Sequence, residues 1–129
     1  MKARLALASL MTALLLPPVG HAASKLDLGL WMRAIDHKSV SVQKALAAGQ
    51  NDAAVADAQA LQKLYADMAA FFERDYPAAD AVGFSREGER HAAAITTALA
   101  AGDVTAARGA ARALALACND CHDPYKPLP

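Results

Sequence analysis

Apolar residues recur at steps of three and four along most of the chain, the spacing that lines up one face of an α-helix. From about Lys25 to Ala48 the repeat runs through Leu28, Met32, Ile35, Ser39, Val42 and Leu46, and Gly49 supplies a C-cap. Asn51 or Asp52 is then placed to cap a second helix, from about Ala53 to Asp75, with Leu61, Leu64, Tyr65, Met68, Phe71 and Phe72 as its stripe and Pro77 as its end. Ala78 to Phe84, with Gly83 inside it, reads as the longest connection. Ser85 is placed to cap a third helix, from about Arg86 to Ala101, whose inward residues are His91, Ile95, Ala98 and Leu99. Gly102 stops it, and Asp103 opens a fourth that runs through Val104, Ala107, Ala111, Leu114 and Ala115 into Cys118, until Pro124 and Pro127 terminate it. Short loops between helices of comparable length imply antiparallel neighbours. The pattern therefore predicts an all-α fold, an antiparallel up-down four-helix bundle in a single domain.

The first residues follow a different pattern. Met1-Lys2-Ala3-Arg4 is basic, Leu5 to Leu16 is apolar, Pro17, Pro18 and Gly20 break the run, and the small residues Ala22 and Ala23 follow. An apolar stretch shorter than the ~20 residues of a membrane span, between a basic start and a small-residue exit, reads as a secretory signal peptide. Residues 1–23 are expected to be removed after Ala22 or Ala23, leaving a domain at 24–129, exported to the periplasm, that meets the membrane only through the cleaved signal.

Composition adds two constraints. The mature part is rich in alanine, which favours helix but buries little area per residue, so a large apolar cofactor would make up much of the missing core. The chain carries 13 basic and 13 acidic residues. Lys2 and Arg4 leave with the signal, so the mature domain is slightly acidic and has no electrostatic footprint for nucleic acid.

The chemistry sits near the end of the fourth helix, in Cys118-Asn119-Asp120-Cys121-His122. This is the C-x-x-C-H pattern of covalent haem attachment. Residues three and four apart share a helical face, so both sulfurs and the imidazole point the same way. Each thiol can add to one haem vinyl group, and His122 reaches the iron. The chain has only these 2 cysteines. A thioredoxin-type dithiol would want a βαβ context with the motif opening a helix, whereas here it closes one. A structural zinc site needs more ligands than the cluster offers. One covalent haem c is the expected cofactor.

From Gly102-Asp103-Val104 through Arg108 to Ala117-Cys118-Asn119-Asp120-Cys121-His122-Asp123-Pro124-Tyr125-Lys126, the chain resembles the last helix of class II cytochromes c, the family of cytochrome c′ and its low-spin, methionine-ligated relatives. Ala48-Gly49-Gln50 is similar to the family's first turn. The resemblance implies that the sixth iron ligand comes from the first helix. Counting back from Gly49 reaches Arg33, beside Met32; matching Arg33 to the family's propionate-contacting arginine reaches His37 instead. Met32 lies on the face of Leu28, Ile35 and Val42, and His37 is about 140° away at ~100° per residue. The sixth position is thus left to Met32, to His37 or to no protein ligand. Methionine would imply an electron carrier, and an apolar residue a five-coordinate iron that binds nitric oxide or carbon monoxide. Arg33, Arg108 and Lys126 are candidate propionate partners. Trp31 is expected to pack at the bundle edge, and Phe71 and Phe72 in the core, one of them within reach of the porphyrin. The resemblance implies a non-enzymatic periplasmic electron carrier that meets redox partner proteins, with a homodimer through the first two helices as an open alternative.

Overall fold

The computed structural model describes residues 22–125, with side chains through residue 121. Residues 1–21 of the expected signal peptide (1–23) and the expected stop at Pro127 lie outside them. Four helices form: α1 (Lys25–Ala47), α2 (Asn51–Arg74), α3 (Ala79–Ala100) and α4 (Val104–Tyr125). Among the described residues there is no strand, and no helix is long and apolar enough to cross a membrane.

Each helix packs on its two neighbours in a ring, α1 on α2, α2 on α3, α3 on α4 and α4 on α1, while the diagonal pairs stay apart. Contacts across two of the seams join the early part of one helix to the end of its neighbour. Arg108 Nη2, early in α4, donates to the Leu46 carbonyl late in α1 at 3.0 Å, and Arg86 in α3 pairs with Glu73 in α2 at 3.1 Å. The result is an antiparallel four-helix bundle. Its axis is filled by Val42, Leu46, Leu61, Phe72, Ile95 and Leu114, with alanines such as Ala54, Ala58, Ala92 and Ala107 letting the helices approach.

Local chemistry accounts for most of the boundaries. Ser24 opens α1 with a capping box: its hydroxyl accepts from the Asp27 amide, and the Asp27 carboxylate accepts from the Ser24 amide at 2.7 Å. This first cap falls directly after the expected cleavage site. Gly49 and Gly102 follow α1 and α3 with φ of 70° and 73°, the left-handed turn that glycine adopts without a Cβ clash. The Asp103 side chain accepts from the Ala106 amide at 2.8 Å and starts α4.

Four expectations are corrected. Asn51 is the first residue of α2, which has Gln50 at its N-cap and no side-chain cap. The segment from Ala78 to Phe84 is not a loop: α3 begins at Ala79, one turn and a half before Ser85. Ser85 is fully buried within that helix and donates back to the Ala81 carbonyl at 2.8 Å, so it is not a cap. Finally, α4 continues through Pro124 to Tyr125, the last described residue.

Gly88 also sits inside α3, where glycine costs about 1 kcal/mol relative to alanine. Its reason is spatial. A Cβ at Gly88 would overlap the Tyr65 ring, which lies across it from α2. At the same end of the bundle Trp31, Phe71, Phe72 and Tyr76 form an aromatic cluster, Trp31 meeting Phe71 edge-on at 6.2 Å and Tyr76 stacking on Phe71 at 6.3 Å. It ties the first turns of α1 to the end of α2.

Candidate functional site

Antiparallel packing brings the first half of α1, the second half of α2, the start of α3 and the end of α4 to one end of the bundle. There they line a cavity of about 60 Å³, partly open to solvent, with Met32, Ile35 and Asp36 from α1, Tyr65 and Met68 from α2, Phe84 from α3, and Ala117, Cys118 and Cys121 from α4 on its walls. Both cysteines stand on its wall because they are three residues apart in one helix, about 60° around its axis. They are free thiols, Cys121 buried and Cys118 partly so.

The two sulfurs have different surroundings. The Cys118 sulfur lies 3.2 Å from the Tyr65 hydroxyl, and either atom is able to donate. Tyr65 is itself buried, and burial, reinforced by both cysteines, pushes its hydroxyl well above the usual phenol range. Burial likewise pushes the Cys121 thiol up to about 11, with the charges of Cys118 and Asp80 adding to it. A raised thiol pKa makes Cys121 a poor attacking thiolate at neutral pH.

That elevation has a measurable consequence in the thiol form of the protein. The folded state holds the Cys121 proton to about 11, whereas a free cysteine releases it near 9.0. Between those values the unfolded state binds fewer protons, so stability falls as pH rises through the window and is fully present below it. Urea denaturation of the thiol form should show this decline, and Cys121→Ala should flatten it between pH 9 and 10, below the 10.0 of a free tyrosine, above which Tyr65 contributes in the same direction. A profile equally steep in the variant would show that Cys121 is not the source.

Met32 lines the cavity, half-buried. Arg33 and His37 are exposed on α1 and are not among the lining residues. The charge of His37 is felt by Asp57 on α2: burial raises the Asp57 carboxyl, but bonds from Lys38 and Ser41 and the charges of Lys38 and His37 together hold it below the usual carboxylate range. His122 follows Cys121 in α4, its side chain outside the described set. Arg108 sits toward the other end of the bundle, in a separate groove on the α1–α4 seam with Gln43, Leu46 and Arg112. It is ten residues, ~15 Å along a helix, from Cys118, and does not reach the cavity. Lys126 lies outside the described residues.

Several lining residues were not read from the sequence as part of the site, Phe84 and Met68 among them. Phe84 had been placed in a loop; with α3 starting at Ala79 it faces the cavity, while Phe71 and Phe72 stay in the aromatic cluster and the core. Met68 was read only as part of an apolar stripe, and it supplies a second thioether to the cavity wall. No cluster of three metal-ligating carboxylate, histidine or cysteine side chains occurs among the described residues. Comparison with known proteins finds no matching family model, curated protein or solved structure.

Proposed function

We propose that this chain is an exported c-type cytochrome of the class II kind, carrying one electron at a time in the periplasm. The observation that carries the reading is the pair of sulfurs of a C-x-x-C-H motif on the wall of an apolar cavity that opens at the end of a helical bundle. The residues present suit a haem. Ile35, Met68, Phe84 and Ala117 offer apolar and aromatic walls for a porphyrin face, and Cys118 and Cys121 are the points of covalent attachment. His122 is the candidate axial iron ligand, with Met32 on the cavity wall as the candidate for the opposite side and His37 as the alternative. When bound, the group supplies a reversible Fe(II)/Fe(III) couple.

The chain's own part is to hold and shield. With the group bound, the cavity walls would shield the porphyrin from water, Cys118 and Cys121 would keep it from being lost, and the side chains that hold the iron would set the potential. Arg33, exposed one residue after Met32, and Lys126 remain the candidates for a propionate. There is no substrate turnover in this reading. Its partners are redox proteins of the periplasm or a second copy of the chain, for which the exposed Leu26, Leu30 and Val40 on α1 offer apolar contacts. A second reading, a five-coordinate iron that binds nitric oxide or carbon monoxide, is favoured by the half-open cavity and depends on whether a thioether reaches the iron.

Production with a cytochrome c maturation system tests the proposal directly. The mature protein should keep its haem through acid–acetone extraction and denaturing electrophoresis, with an intact mass equal to the cleaved chain plus one haem. Replacing both Cys118 and Cys121 by alanine should abolish the covalent product. Free thiols at both positions in the wild-type protein, with no retained haem, would defeat the reading.

A further inference from the structure

The contact between Tyr65 and Cys118 has no part in the motif, yet three features of the fold converge on it. Tyr65 is buried at 4% exposure, so its hydroxyl needs a partner inside the protein, and the Cys118 sulfur at 3.2 Å provides one. Its ring occupies the space that a Cβ at residue 88 would fill, so a mid-helix glycine on α3 is what admits it. The hydroxyl comes from α2 and the sulfur from α4, diagonal helices whose backbones do not approach each other, so the bond spans the cavity wall.

We infer that Tyr65 is a positioning residue for covalent attachment at Cys118, its hydroxyl fixing the sulfur on the cavity wall and Gly88 seating its ring. This rests on the haem reading above. Attachment is addition of a thiol across a vinyl double bond: one S–C bond forms, the thiol hydrogen ends on the other vinyl carbon, and nothing is oxidised or reduced. Before that step the hydroxyl can accept from S–H or donate to sulfur; afterwards the sulfur has no hydrogen, and only O–H can donate. A tyrosine satisfies the sulfur on both sides of the reaction, which a donor-only or acceptor-only side chain would not. The bond narrows the rotamers of Cys118, and so raises the fraction of chains in which its sulfur is directed into the cavity when the vinyl group arrives.

Tyr65→Phe removes the hydroxyl and keeps the ring, so the bundle is retained; equal thermal melting by circular dichroism checks this. In the thiol form, iodoacetamide labelling followed by peptide mass mapping should modify Cys118 several-fold faster in Tyr65→Phe than in wild type, with Cys121 unchanged. After maturation, a fraction of Tyr65→Phe chains should retain an unreacted Cys118, labelled once the holoprotein is denatured, and a reduced absorption band shifted to the red by the surviving vinyl group. Gly88→Ala, which displaces the ring, should reproduce the Cys118 result. Wild type with no haem overturns both this inference and the proposed function. A Tyr65→Phe protein attached at both sulfurs as completely as wild type, or labelled at Cys118 at the wild-type rate, overturns this inference alone.

Discussion

Protein lacking haem should melt tens of degrees below the holoprotein. The bundle axis is filled mainly by alanine and leucine, and at the motif end the walls leave a cavity that opens to solvent. Without a cofactor that end keeps Met32, Ile35, Met68 and Phe84 facing a gap. A porphyrin is larger than an aromatic side chain, which buries about 150–250 Å². At ~25 cal/mol per Å² of apolar surface, covering that much wall contributes about 4–6 kcal/mol. For a domain of this size each 1 kcal/mol moves Tm by about 4–8 °C, so the expected loss is on the order of 20–40 °C. Covalent attachment adds to this by tethering the group in the unfolded chain as well, which keeps refolding local. Circular dichroism melts of the wild-type holoprotein and of the double Cys118→Ala, Cys121→Ala variant would measure it. Identical melting would show that the helices close the cavity unaided, and the fit of the cavity to a large ligand would lose its force.

The fold was legible where local signals agreed with packing. The stripes on α1, α2 and α4 matched the buried faces because three- and four-residue spacing is all that a bundle requires. Gly49 and Gly102 ended helices because each follows a helix at a position that needs positive φ. Gly83 and Ser85 misled for a physical reason. A glycine and a serine together imitate a turn and a cap, but Ser85 satisfies its hydroxyl on the preceding helical turn and buries it, so the helix continues through both. That single shift of boundary is what brings Phe84 to the cavity.

In the site, the C-x-x-C-H motif was legible because it is local: two cysteines and a histidine within five residues of one helix. What surrounds it comes from other helices and follows from tertiary register alone. No spacing rule links Tyr65 to Cys118 or explains Gly88, since each makes sense only with α2, α3 and α4 in place. Helical periodicity did separate Met32 from His37, because a face is a local property; it had no means of setting Met68 beside Met32 from another helix.

Met32→Ala should change the iron environment more than any other substitution on α1. Met32 lines the cavity on the helix next to the cysteine-bearing one, whereas His37 is exposed and does not line it. A soft, neutral thioether favours Fe(II), so with Met32 as ligand the wild type should have a raised potential and the weak charge-transfer band of iron–sulfur ligation at the red end of its ferric spectrum. Met32→Ala should abolish that band, lower the midpoint potential and admit carbon monoxide or nitric oxide. Met68→Ala separates ligation from packing, because Met68 shares the cavity without lying on the helix that the family resemblance implicates. It should lower stability by about 2–5 kcal/mol, as removal of a buried methionine side chain does, while leaving the band in place. Loss of the band in Met68→Ala with retention in Met32→Ala would move the ligand to α2. A wild type without the band that becomes high-spin only on His37→Ala would require α1 to rotate on its axis and bring His37 inward. If none of the three substitutions alters the spectrum, the iron has an open sixth position, and binding of small gases replaces electron transfer as the function that this cavity serves.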